Sequence, residues 1–507
     1  MSKFENYFSE KFKNLEEKTK NIDELLNDDE LYLISGDFYG IQKFIFDGLS
    51  SKNAAKVLRA KSAFIQLFTD YITKYICDKL KIDEKAILSV TAGKFEILTS
   101  SFSEDILKDI QKNINDYFIK NFFGLSGMNL CFVKCSKDDF KEISKYKSLR
   151  DKISKEIEKS KFKKFNLLNQ NPVLEANTNI TNQTLCKLCN FRKIEKVHCK
   201  VCEDFVSLGQ KLTTNNIGKP IKSSEFGIKI DDFICDLTLN EKIKSYVARD
   251  EKNDILEFEN LSKNSTGANA IAILKADVDN MGNFLKNSDV TNSFENFELF
   301  SKSMDNFFSL HIPRVMKEKF KNSYTVFAGG DDLFLLGSWD TILELARFIE
   351  NEFKSFIKNK DLTISFGISL AKASTPINYL ASHTEELLSI AKAIDDKKDA
   401  LTLFDETVKW QSYKKVFENL MPVLENLKLE DDKTAFFYRL LDFCQMSKDV
   451  KVGDIKATIW KSKLNYVFSR NMKSINLEVL NTLNNSIENS PKEAKIVLCE
   501  FIYKRRK

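Results

Sequence analysis

The chain runs to 507 residues with 43% apolar content, enough to bury the cores of about two to four domains. Its 78 Lys and Arg against 73 Asp and Glu leave a net charge of +5, too mild to announce nucleic acid by itself. No window approaches the roughly eighteen continuous apolar residues of a membrane span, and Met1-Ser2-Lys3-Phe4-Glu5 does not read as a secretion signal. With ten cysteines and no such signal, the expectation is a cytoplasmic protein whose cysteines are thiols or metal ligands. In chain order, residues 31–46 set out a strand, Asp37, a glycine turn and a helix, and residues 86–99 follow with two apolar runs around Ala92-Gly93. A polar stretch over 145–185, including the lysine-rich 159–164, reads as solvated and leads to Cys186-Lys-Leu-Cys189 and Cys199-Lys-Val-Cys202. Two such knuckles supply four thiolates to one structural zinc, with His198 able to replace a sulfur. Four thiolates leave no open position for catalysis. Cys77, Cys131, Cys135, Cys235, Cys444 and Cys499 read as buried thiols.

After a polar segment at 262–269, residues 268–276 have strand character and end in Asp277-Val-Asp279-Asn280-Met-Gly282, a turn into a helix. Asp277 would hold metal, and Asp279 would either assist it or cap the helix. Residues 324–337 are the most informative: two β-rich runs flank Gly329-Gly330-Asp331-Asp332. Such glycines permit the positive φ of a tight turn and close approach of a phosphate chain. Adjacent aspartates suit hard divalent cations. An ordinary surface turn would use the same residues; Asp277, arriving from a separate strand, favours a two-metal nucleotidyl-transfer site. Residues 362–370 read as an alternating strand, and Pro376 opens a helix with Leu380, Leu387, Leu388, Ile390 and Ala391 on its apolar face. Lys392 on that helix is either a phosphate contact or a solvated lysine. From about Glu406 the periodicity is helical, and Phe436-Phe437-Tyr438 and Leu440-Leu441 suggest a bundle used for core packing or docking. The basic residues 504–507 read as a solubilising tail.

The order strand, Asp, turn, helix, hairpin occurs twice, so the chain reads as a diverged duplication. Aligned by eye, Ala92-Gly93 match Ala328-Gly329, which places Lys94-Phe95-Glu96 where the second copy has Gly330-Asp331-Asp332. The first copy would keep the architecture and lack the aspartate pair, and the two modules would face one another across a composite nucleotide pocket.

The Gly-Gly-Asp-Asp hairpin, residues 275–282, Ser365-Phe-Gly-Ile-Ser369 and Ala391-Lys392 resemble the second palm domain of the large subunit of type III CRISPR effector complexes. Residues 35–42 and 50–59 resemble that subunit's first palm, in its Csm branch. The resemblance implies an α+β fold: two ferredoxin-like palms of the GGDEF/cyclase type, a zinc-bearing linker and a C-terminal helical domain. The corresponding division is 1–150, 151–262, 263–408 and 409–507. It also implies a nucleotidyltransferase, activated by target RNA, that converts ATP to cyclic oligoadenylates in antiviral defence. Asp277, Asp331 and Asp332 would then hold Mg²⁺ or Mn²⁺, while Gly329, Gly330, Asn280, Gly282 and Lys392 would contact the nucleotide. Cys186, Cys189, Cys199 and Cys202 would hold Zn²⁺. Implied partners are guide RNA, target RNA, the small subunit and the subunit that binds the guide end, with no membrane.

Many members of the family open with an HD nuclease domain; this sequence opens on the first palm, and His198, His311 and His383 are not followed by Asp, so DNase activity is expected to be absent. Glu96 reads either as an outward strand residue or as a carboxylate selecting a different acceptor, such as S-adenosylmethionine. Two further readings differ in class: a diguanylate-type cyclase, disfavoured by Leu333 after the acidic pair, and a guide-RNA scaffold with vestigial catalysis.

Overall fold

The computed structural model describes residues 3–46, 54–163, 185–189, 192–194, 197–213, 217–243, 246–427, 434–471 and 477–506. Part of the first-palm motif (residues 50–53) and most of the polar stretch (164–184) lie outside the described residues. The rest of that stretch is ordered differently from the expectation: Ile143–Phe162 is one helix, with Tyr146, Leu149 and Ile153 buried.

Two sheets carry the fold. The first has the order β2-β3-β1-β4, with β1 Leu31–Tyr39, β2 Ile87–Thr91, β3 Lys94–Thr99 and β4 Gly127–Cys135. Pro220–Lys222 (β5) and Asp236–Thr238 (β6) form a small ribbon between the units. The second sheet has the order β12-β11-β10-β7-β9-β8. Its strands are β7 Ile271–Val278, β8 Ser323–Gly329, β9 Asp332–Ser338, β10 Ile364–Ala371, β11 Ala400–Leu403 and β12 Glu406–Lys409. The sub-order β8-β9-β7-β10 repeats β2-β3-β1-β4, the antiparallel order of a ferredoxin-like βαββαβ unit, so the chain contains the same topology twice.

Strand parity decides what each face of the second sheet meets. Ala272, Leu274, Ala276, Leu333 and Leu335 join a core with the helix Trp339–Phe356 and the C-terminal helices. Ile271, Ile273, Tyr324, Val326, Phe334 and Leu336 join the core of the first unit instead. β10 does not alternate: Ile364 through Ser369 are all buried, as expected of a strand flanked by β7 and β11 with both faces covered. On the helix Ile377–Lys392, Leu380, Leu387, Leu388 and Ala391 are buried, whereas Ile390 is 51% exposed and leaves the apolar face.

Residues 3–17, an N-terminal strap grouped by sequence with the first unit, pack on the second. Phe8 stacks on Phe356 and Phe300, and Phe12 meets Phe307 edge-on. The C-terminal bundle follows expectation, with Phe436, Phe437 and Leu440 buried on Thr434–Lys451 and Tyr438 exposed. Lys504 and Arg505 of the basic terminus belong to the last turn of the packed helix Pro491–Arg505. Of the six remaining cysteines, Cys77, Cys131, Cys135 and Cys444 are buried, but Cys235 and Cys499 are only half-buried. Among the described residues no helix is long and apolar enough to cross a membrane.

Candidate active site

Asp277 lies inside β7, opposite Asp332 at the first position of β9, and β8 closes on β9 through Gly329 opposite Asp332. The turn is therefore two residues, Gly330-Asp331. Gly330 has φ +65°, the reason for a glycine there. Gly329 does not; a Cβ on it would stand 3.3 Å from Asp305 Oδ1, so its glycine makes room for that carboxylate. Asp277 and Asp332 share strand parity with Lys275 and Phe334, and all face the helix Ile377–Lys392 and the first unit. The Val278 amide donates to the Asp331 carbonyl at 3.1 Å, locking the turn to the end of β7.

Two lysines attend these carboxylates. Lys392 contacts Asp277, and Lys275 contacts Glu385 on the same helix. Burial, with Lys398 and Lys275 nearby, pulls the Lys392 ammonium down to about 8, while its contact with Asp277 favours the charged form. We take it as an ammonium, since a direct carboxylate contact outweighs more distant like charges. Burial pushes the Asp332 carboxyl up to about 6, with Lys275 opposing and Asp331 adding to the rise. Asp332 Oδ1 is buried and has no hydrogen-bond partner. A buried, unpaired carboxylate oxygen beside two further aspartates is a donor set that fits a divalent cation. The oxygens of the three aspartates are nonetheless not gathered on one point; among the described residues only the four cysteines form such a group.

Asp279 does not cap the helix Met281–Asn287. Its Oδ2 accepts from Thr363 Oγ1 (2.9 Å), Ser365 Oγ (2.8 Å) and the Asp399 amide (3.1 Å), clamping β7 to β10 and to the loop before β11. The helix Met281–Asn287 is preceded by Asn280 at φ 58° with no side-chain cap, and Asn280 Nδ2 reaches the Asp396 carbonyl at 3.2 Å. Gly282 is exposed with open space around it.

The first unit repeats this geometry in altered residues. Asp37 stands opposite Lys94 as Asp277 stands opposite Asp332, and Thr91 pairs with Lys94 as Gly329 pairs with Asp332. Lys161 Nζ lies 3.1 Å from Asp37, on the helix after β4, as Lys392 meets Asp277 from the helix after β10. Hydrogen-bonded register thus corrects the alignment by eye by two residues: Lys94, not Glu96, occupies the place of Asp332. Glu96 corresponds to Phe334. It is gripped by Arg150, whose Nη1 donates to both carboxylate oxygens at 2.8 Å. Between the units lies a small cleft lined by Ser62, Gln66, Ala92, Lys242, Asp305 and Phe327 among others.

Two site residues carried no sequence signal. Asp305 ends the helix Phe294–Asn306, and Glu385 lies on the helix Ile377–Lys392; neither belongs to a motif, and only tertiary packing brings them to the hairpin.

The sulfurs of Cys186, Cys189, Cys199 and Cys202 are buried and lie within 4.8 Å of one another, with Cys189 and Cys199 at 3.9 Å. Tetrahedral zinc with bonds of about 2.3 Å sets sulfurs about 3.8 Å apart, so the four thiols fit that ion. His198 lies outside this set; its Nδ1 is buried without a partner. Cys189 and Cys202 border a cleft also lined by Lys43, Lys61 and Arg192.

The family model for Cas10/Cmr2, second palm domain, matches residues 270–402, and that for Csm1 subunit domain B matches residues 30–179. Similar curated proteins carry one name, CRISPR system single-strand-specific deoxyribonuclease Cas10/Csm1 (subtype III-A). That of Methanocaldococcus jannaschii is 27% identical over 496 residues, covering 78% of this chain and 61% of its own length. That of Streptococcus thermophilus is 23% identical, covering 95% and 69%. The chain is thus similar to Cas10/Csm1 proteins of subtype III-A over most of its length. It spans about 61% of the length of the Methanocaldococcus relative. Among solved structures, a Csm1–Csm4 subcomplex of the type III-A Csm interference complex aligns at TM-score 0.72 and 20% identity, covering 96% of this chain and 72% of the other. A Csm1–Csm4 cassette in complex with cA4 aligns at 0.70 and 19%, covering 95% and 71%. At these identities the likeness establishes the fold.

Proposed function

We propose that the chain is a metal-dependent nucleotidyltransferase that joins ATP into cyclic oligoadenylates when a guide-RNA complex captures target RNA. The observation that carries this reading is Asp277 opposite Asp332, with Asp331 in the turn, inside the stretch that matches the Cas10/Cmr2 second palm domain. Relatives of this fold have been crystallised with cA3, cA4, AMPPNP and ATP, which supports an adenine nucleotide as substrate. We read both βαββαβ units as palms, the first without the aspartate pair, because Lys94 replaces the carboxylate.

Asp277, Asp331 and Asp332 would hold Mg²⁺ or Mn²⁺. When bound, the ions would lower the pKa of the attacking ribose hydroxyl and neutralise charge on the α-phosphate. The new bond joins the 3′ oxygen to the α-phosphorus as the bond to pyrophosphate breaks and the hydroxyl proton leaves. Lys392 is placed to exchange its contact with Asp277 for the triphosphate, keeping positive charge beside the leaving group. Gly330 and Gly282, both exposed with open space around them, leave a side-chain-poor surface for the nucleotide beside Asn280, whereas Gly329 is buried against Asp305. The zinc would serve as a staple in the linker. Guide RNA, target RNA, the small subunit and the guide-end-binding subunit are its proposed partners.

Glu96, tied to Arg150 and three positions past the turn, gives no support to an altered acceptor. Mass spectrometry of products from the guide-loaded complex with target RNA and ATP, with and without S-adenosylmethionine, tests the reading. Cyclic oligoadenylates in both samples are expected; an AMP adduct formed only with the second substrate would overturn the ring-forming reaction.

The nuclease activity in the relatives' name does not find a centre in the described residues. His311 Nε2 pairs with Glu352 at 3.0 Å, His383 stacks on Tyr379, and His198 lies in the zinc insert. We infer that this chain does not cut DNA. Purified chain with Mn²⁺ should leave single-stranded DNA intact, and cleavage would refute the inference.

A further inference from the structure

Asp305 is buried at the end of the helix Phe294–Asn306, remote in sequence from the Gly-Gly-Asp-Asp hairpin, and its carboxylate reaches the hairpin tip. Oδ1 accepts from the Gly330 amide at 3.1 Å. Oδ2 accepts from Lys242 Nζ at 2.7 Å, and Lys242 belongs to the linker. The helix does not pass on regularly from this point: Phe307–His311 forms a π-helical turn, in which Ser309 Oγ donates to the Asp305 carbonyl at 2.6 Å. Such turns occur often at functional sites, where they re-aim a side chain at the expense of regular hydrogen bonding. Glu17 of the N-terminal strap lies 3.9 Å from Lys242 and accepts from Asn306 Nδ2 at 2.8 Å. Strap, linker and helix thus converge on one carboxylate, and that carboxylate holds the amide of the residue preceding Asp331. Asp305 also borders the cleft between the units.

Gly330 is exposed, with open space where a Cβ would stand. The Val278 amide ties the turn on its Asp331 side, the Asp305 carboxylate ties it on the Gly330 side, and loosening the second tie would let Asp331 and Asp332 shift against Asp277. We propose that Asp305 is a positioning residue for the metal-binding hairpin: by accepting from the Gly330 amide it fixes the turn, and Lys242 fixes Asp305 from the linker. The inference rests on the reading of the hairpin as a divalent-cation site.

The test uses the full chain, with Mn²⁺ binding followed by electron paramagnetic resonance in the presence of a non-hydrolysable ATP analogue. Asp305→Ala is expected to weaken Mn²⁺ binding about tenfold, the scale of one lost hydrogen bond to a preorganised site. Asp305→Asn keeps an oxygen that accepts from Gly330 but turns an amide NH2 toward Lys242, and is expected to fall between the wild type and the alanine variant. Lys242→Met, which removes the same tie, should weaken binding no more than Asp305→Asn. Wild-type Mn²⁺ affinity in Asp305→Ala, or an Asp305→Asn as weak as the alanine variant, would overturn the positioning role while the metal site stands. If instead the wild type binds Mn²⁺ no better than Asp331→Ala, the metal reading itself fails and this inference with it.

Discussion

Asp332 shows what the site demands of a single residue. One of its oxygens is buried without a partner, and burial raises its carboxyl to about 6. An unpaired buried carboxylate is unfavourable to folding and persists where function requires it. Asp332→Asn removes that charge at nearly constant shape. Differential scanning should show a melting point equal to or above that of the wild type at neutral pH, while nucleotide product falls by about a hundredfold or more. A variant that melts lower, or one that keeps its product, would contradict the assignment. For residues inside motifs sequence was the closer guide: Asp277 and Asp332 pair in the strand register, and Lys392 contacts Asp277. It was a poor guide to Asp279, because the partners that claim its carboxylate, Thr363 and Ser365, belong to a strand more than eighty residues away. Asp305 was invisible for the same reason.

Among the elements, the hairpins and the knuckles were the most legible, because each is specified by neighbours in sequence. The error in aligning the two hairpins was one of register. Small residues at both turns permit two alignments, and cross-strand pairing with β1 and β7 decides between them. The knuckles have a further dependence that spacing does not reveal. Cys186, Cys189, Cys199 and Cys202 share a core with the first unit, and Phe205 packs against Phe44 and Phe64. The insert is therefore not an independent finger; its staple also holds one wall of the first unit. Atomic spectroscopy should find about one zinc per chain, and chelation or Cys199→Ser should release it at a cost of several kcal/mol. Proteolysis within residues 185–213 should then precede global unfolding, and a chain that stays resistant without zinc would show that packing alone suffices.

At the scale of the molecule, sequence gave the duplication and the helical end but not how the halves are joined. The joints are side chains from distant segments. Phe8 and Phe12 carry the N-terminal strap onto the second unit, and Arg347 donates to Glu500 across the second unit and the C-terminal bundle. Arg150 is the joint that bears on function. It stands on the helix after β4, donates to both oxygens of Glu96, and lays its guanidinium 4.0 Å over the ring of Phe297 on the helix that ends in Asp305. Arg150→Ala would strand Glu96, which is only 13% exposed, and remove the stacked contact between the units. Breaking one partner of a largely buried pair costs about 3 kcal/mol. Glu96→Gln keeps one oxygen for Arg150 and should cost less. Both variants act on how the units are held, and neither touches the hairpin of Asp331 and Asp332. Melting should therefore fall most in Arg150→Ala, while mass spectrometry of Glu96→Gln should return the wild-type product. If Glu96→Gln alters which acceptor receives AMP, Glu96 faces the nucleotide after all, and the register that places Lys94 opposite Asp37 does not describe the working enzyme.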